Sequence, residues 1–209
     1  MRKYTTEFIG TFFLVLTIGM VVLGGKGNFA PLAIGSSLMV MIFAGGHISG
    51  GHYNPAVTLA VLLRGKISLG EAIPYMIAQI LGAIVASLIV MYLMNDKIPD
   101  SAVEMANTTK GLLAEFLGTF ALAFVVLNVA TAKGTSGNSF YGLAIGFTVL
   151  TMALAFGSVS GGAFNPAVAI GISLLKLTSW TNIWVYLIGC FGGASVAAMV
   201  FKICNPDDK

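Results

Sequence analysis

Two stretches of this chain break an apolar run with nearly the same letters: GHISGGHYNPAVTLAVL over 46–62 and GSVSGGAFNPAVAIGIS over 157–173. Proline is tolerated in a helix only at its first turn, where the missing N–H would have no partner anyway. Pro55 and Pro166 therefore each start a helix, and Asn54 and Asn165 are its cap residues, with side-chain oxygens able to accept from the first turn. That leaves each amide –NH2 free to point elsewhere. The apolar pieces that follow, 55–63 and 166–175, reach only about 14 Å at 1.5 Å per residue, half of a bilayer core. They read as half-helices, tolerated only where protein buries them or where they line a cavity.

The rest of the chain supplies the bilayer reading. Only 9% of the residues are charged, against about 25% in a typical soluble domain, and the mean hydropathy is +0.92. Six segments are long and apolar enough to span: 5–24, 32–50, 70–94, 110–131, 139–158 and 180–203. The first has the basic flank of a signal peptide but too long an apolar stretch and no cleavage site, so it reads as a retained span. With both termini in the cytoplasm, Arg2, Lys3, Arg64, Lys66, Lys133, Lys202 and Lys209 lie inside, and Lys26, Lys97, Lys110 and Lys176 outside. That bias agrees with the positive-inside rule. The net charge of +3 gives no hint of nucleic acid.

The repeat extends beyond the Asn-Pro-Ala triplets. TEFIGTF at 6–12 returns as AEFLGTF at 114–120, and LAIG at 32–35 returns at 143–146. Each half carries three spans and one half-helix. Three is odd, so the second half must enter the membrane inverted. The expected architecture is an all-α polytopic membrane protein: one channel domain over 1–209, with inverted 3+3 repeats over 1–94 and 110–209 and an outer linker over 95–109. Inverted repeats with discontinuous helices place a functional site near the midplane.

Inversion brings the two half-helices in from opposite faces, so their positive dipole ends and both Asn donors converge on one spot. Such a spot suits a neutral solute with a lone pair and repels a cation or hydronium. Gly50-Gly51 and Gly161-Gly162 are read as extended backbone. Carbonyls through Gly50, Gly51, His52 and Tyr53, and through Gly161, Gly162, Ala163 and Phe164, would then form a file of acceptors. His47 and His52 have no acidic partner close in sequence and read as loop-packing residues. No metal or cofactor site is expected, and Cys190 and Cys204 read as small buried hydrophobes.

GHISGGHYNPAVT, with the second Asn-Pro-Ala, resembles the pore loops of the aquaporin and aquaglyceroporin (major intrinsic protein) family, over nearly the whole chain. The resemblance implies six helices around two half-helices, a pore in each subunit and a homotetramer. It implies pore motifs at Asn54, Pro55, Ala56, Asn165, Pro166 and Ala167, and loop-anchoring carboxylates at Glu7 and Glu115. It also implies a constriction at Ile34, Ala153, Gly162 and Val168. The family's second motif usually continues with arginine, and Val168 stands there instead. This constriction is expected to be wide, apolar and uncharged. The function expected is a passive channel for water or small uncharged solutes such as glycerol, urea, ammonia, hydrogen peroxide or a metalloid acid. The alternatives are an ion-coupled secondary transporter, which would need further intramembrane charges, and a non-conducting structural protein of the same fold. No enzyme motif is present. A cell membrane, inner or plasma, is the expected location.

Overall fold

The computed structural model describes residues 1–208; Lys209, one of the cations assigned to the inner face, lies outside them. Eight α-helices follow in order: α1 Arg2–Leu23, α2 Ala30–Ser49, α3 Pro55–Arg64, α4 Leu69–Leu93, α5 Thr108–Ala130, α6 Tyr141–Ser160, α7 Pro166–Leu174 and α8 Ile183–Cys204. Six of them are long and apolar enough to cross a membrane; α3 and α7, with 10 and 9 residues, are not. Among the described residues there is no strand.

The helices pair in a pattern that survives exchange of the two halves. α1 packs on α4 as α5 packs on α8, α1 on α2 as α5 on α6, and α3 on α8 as α4 on α7, while α2 crosses α6. Glycines permit these close crossings. A Cβ on Gly35 would stand 2.6 Å from the Gly146 carbonyl, and one on Gly146 would stand 2.6 Å from the Gly35 carbonyl. Gly82 is similarly pressed by the Phe8 carbonyl, at 2.5 Å from where a Cβ would sit, and Gly193 by that of Phe116. Lipid cannot drive helices together by the hydrophobic effect, so close backbone approach supplies the packing instead.

The interior is correspondingly unusual. Glu7, Thr11, Gln79, Ser87, Glu115 and Thr119 are completely buried, whereas Ile77, Leu81, Leu88, Leu154, Ile188 and Met199 are at least half exposed. A soluble domain would invert that distribution. Here the apolar side chains face lipid, while among the buried polar ones Gln79 donates to Glu7, and Thr11 and Ser87 donate to backbone carbonyls.

Candidate pore site

α3 and α7 start as their sequences dictate. Asn54 is extended (φ −158°), and its Oδ1 accepts from the Ala56 and Val57 amides at 2.8 and 3.4 Å, with Pro55 at the first helical position. Asn165 (φ −160°) accepts from Ala167 and Val168 at 2.9 and 3.4 Å, with Pro166 in the same place. The remaining side of each amide is not wholly free. Asn54 Nδ2 donates to the Phe164 carbonyl at 2.9 Å, and Asn165 Nδ2 donates to the Tyr53 carbonyl at 2.9 Å. The two loops are thus bolted together head to head. A primary amide has two N–H groups, so one per asparagine is left beyond this crosswise pair.

Each loop hangs from one carboxylate. Glu7 Oε1 accepts from Ser49 Oγ at 2.6 Å and the His52 amide at 3.0 Å, and Oε2 from the Tyr53 amide at 2.7 Å and Gln79 Nε2 at 2.8 Å. Glu115 Oε1 accepts from Ser160 Oγ at 2.6 Å and the Ala163 amide at 3.0 Å, and Oε2 from the Phe164 amide at 2.6 Å. Its fourth contact is the Cys190 thiol, at 3.6 Å. Loop donors that would be costly to bury unpaired therefore have acceptors in the protein interior.

The glycine pairs differ from the extended backbone read in the sequence. Gly50, Gly51, Gly161 and Gly162 all lie in the left-handed region, at φ 91°, 64°, 91° and 66°. The reason is the end of the preceding helix. Gly50 N–H bonds back to Gly46 O and Gly161 N–H to Gly157 O, so each pair first closes a helix C-terminus before turning into the loop. Tyr53 and Phe164 follow at φ 47° each, a region unfavourable for an aromatic residue. Their rings fill the spaces left by the missing side chains of Gly10 and Gly118, and their amides are held by the two glutamates.

Ile34, Ala153, Gly162 and Val168 all border one cavity of about 550 Å3, together with Asn54, Asn165, Gly51, His52, Gly161 and Ala163. The remaining lining is overwhelmingly apolar, from residues such as Leu38, Leu122, Val126, Ile145 and Val149. Pro55, Ala56, Pro166, Ala167, Tyr53 and Phe164 do not line it; they are buried behind it. Gly50 borders two separate cavities instead. Among the described residues no group of His, Cys, Asp or Glu could hold a metal ion.

Several supporting residues escaped the reading of the sequence. Tyr75 and Tyr186 donate to the Ser49 and Ser160 carbonyls at 2.9 and 2.6 Å. They are identical letters at the repeat spacing, so extending the repeat past the half-helices would have found them. Gln79 and Cys190 are also repeat-related, but their letters differ and nothing marks them as partners of the glutamates.

Asp208 is the other. Its Oδ1 receives Arg64 Nη2, at the end of α3, at 2.6 Å, and its Oδ2 receives the Lys133 amide, in the α5–α6 connection, at 2.7 Å. The Lys133 hydrogen bond first, and the Arg64 charge with it, hold the carboxyl below its ordinary value of 3.8. A carboxyl held low contributes its stabilisation above the unfolded value and loses it as pH falls through the folded one. The clasp is thus complete at neutral pH and is lost only as the pH falls below the ordinary carboxyl value of 3.8. Asp208→Ala should raise amide hydrogen exchange over residues 131–138 at pH 7, and acidifying the wild type should do the same. Unchanged protection in both would show that the clasp does not hold this connection.

Comparison with known proteins gives a consistent family. The sequence profile of the family described as Major intrinsic protein matches residues 1–201. The chain is 37% identical to "Glycerol uptake facilitator protein-like 6" of Lactiplantibacillus plantarum, over all of both chains. It is 35% identical to "Nodulin-26" of Glycine max, over all of this chain and 80% of that one. Among solved structures, the aquaglyceroporin from Plasmodium falciparum superposes with a TM-score of 0.84 over 98% of this chain and 97% of that one. At 24% identity, that likeness speaks to the fold alone.

Proposed function

Because the chain belongs to the major intrinsic protein family, a family of multi-pass membrane channels, we propose that it is a passive channel for water and small uncharged solutes, conducted through the cavity that runs past Asn54 and Asn165. One observation carries this reading: two half-helices meet by their N-termini, each capped by an asparagine with an N–H left beyond its structural bonds. Donors fixed at positive dipole ends favour a solute lone pair and oppose a cation. Protons and metal cations are refused there and at the apolar wall, where desolvation of an ion has no compensation.

The constriction reading goes further. Ile34, Ala153, Gly162 and Val168 put no side-chain donor and no charge around the cavity, and two of the four are small. A solute of glycerol's breadth passes such a ring more readily than one narrowed by histidine and arginine. Glycerol, urea and comparable neutral molecules are therefore the proposed cargo, together with water. Both buried carboxylates already hold the loops, which leaves neither for a coupling ion. The distribution of lysine and arginine supports cytoplasmic termini, and the family supports a homotetramer with a pore in each chain.

Stopped-flow light scattering on proteoliposomes tests this. Under a sucrose gradient the vesicles should shrink faster than protein-free ones, and under a glycerol gradient they should then re-swell. Shrinkage without re-swelling would remove glycerol-sized solutes from the proposal; no protein-dependent response to any neutral solute would remove the channel.

A further inference from the structure

Five glycines border the main cavity: Gly27, Gly51, Gly157, Gly161 and Gly162. Four of them lie in the left-handed region, where a side chain would be strained whatever room it had. Gly157 is the exception. It sits inside α6 with no such backbone demand, and a Cβ built on it would meet nothing within 4 Å. Among the described residues, every other glycine within an α-helix has a neighbour inside that distance. Neither conformation nor packing therefore accounts for the missing side chain, although glycine weakens a helix relative to alanine. The open space beside Gly157 belongs to the cavity itself.

We propose that Gly157 is a further specificity-determining residue, whose missing side chain keeps the passage broad for a helical turn beyond the four-residue ring; the inference rests on the channel reading above. Its placement follows from the helix. Gly157 comes four residues after Ala153 in α6, so the two share a face, one turn apart. It also abuts the ring, because a Cβ on Gly162 would stand 3.3 Å from the Gly157 Cα. Its carbonyl already accepts from the Gly161 amide at 2.9 Å, so it offers a solute room rather than a hydrogen-bond partner. Ala153, Gly157 and Gly162 thus join two successive levels into one wide stretch. A compact solute such as water or urea needs breadth at only one level at a time. A neutral solute longer or broader than glycerol occupies both levels together, and for it the open place at residue 157 decides passage.

The test fills that place in steps. Water, glycerol and xylitol permeabilities would be measured in proteoliposomes for wild type, Gly157→Ala and Gly157→Leu, with melting in detergent as the check on folding. Alanine has both the room and the helix propensity in its favour, so Gly157→Ala should melt no lower than wild type, and it carries the test if leucine prevents folding. We expect wild type to pass xylitol and Gly157→Leu to cut xylitol flux roughly tenfold. Glycerol flux should fall less and water flux least, with Gly157→Ala between wild type and Gly157→Leu. A xylitol-to-glycerol ratio unchanged in the folded variants would overturn the inference while leaving the channel intact, as would a wild type that passes glycerol but excludes xylitol. Melting of Gly157→Ala well below wild type would overturn it too, by showing that the space serves packing. A wild type that conducts nothing would instead remove the channel reading, and this role with it.

Discussion

Glu7→Ala should not yield a stable folded protein. The change strips the acceptor from Ser49 Oγ, the His52 and Tyr53 amides and Gln79 Nε2 at once. Each donor left unpaired in the interior costs roughly 1–3 kcal/mol. Four together reach the scale of a whole domain's stability, about 5–15 kcal/mol. Glu7→Gln should be intermediate, since its oxygen satisfies one pair of donors while its –NH2 confronts the other. Glu115→Ala should be milder than Glu7→Ala, because one of its four partners is only a thiol at 3.6 Å. Size-exclusion profiles and melting temperatures in detergent rank the three. Wild-type melting in Glu7→Ala would mean that the first loop is held by something other than this carboxylate.

Val168→Arg should convert a permissive pore into a narrow one. Val168 is 3% exposed and borders the cavity beside Gly162, with Ile34 and Ala153 in the same lining. Its amide hydrogen bond to Asn165 is made by the backbone, so the cap survives the substitution. A guanidinium there fills the space left by Gly162 and Ala153 and places a charge in the lumen. Glycerol permeability should fall by roughly 10- to 100-fold, the range that size discrimination achieves in an apolar pocket, while water permeability falls much less. Val168→Leu separates bulk from charge: it should reduce glycerol flux without making the pore sensitive to anions. Glycerol flux unchanged in both variants would show that solutes do not pass this side chain.

Much of this was legible before any coordinates. Asn-Pro-Ala twice, at one spacing, is a statement about helix starts, and both half-helices begin at the proline. The span boundaries follow from hydropathy and differ from the helices by a few residues. The glycine pairs depart from the extended loop backbone that Ser-Gly-Gly suggests, with all four in the left-handed region. The first glycine of each pair belongs to the end of the helix before it, where a left-handed residue is the usual stop. Other features left no local mark at all. Arg64 and Asp208 are 144 residues apart, without a repeat copy to draw attention to them. Gln79 and Cys190 occupy matching places with different chemistry, and only the carboxylates they face reveal that they correspond.

The crosswise amide bonds set an order on synthesis. Asn54 leaves the ribosome long before its acceptor, the Phe164 carbonyl, which lies 110 positions later. Asn165 in turn needs the Tyr53 carbonyl already in place. A nascent chain ending after α4 can insert its three spans and its first half-helix, but that half-helix faces an empty seat. The two loops can therefore join only once the second has been made, and α8, with Tyr186 and Cys190 beside that loop, follows later still. Until translation has passed residue 165, the two crosswise bonds cannot both form, and the paired half-helices have no common seat.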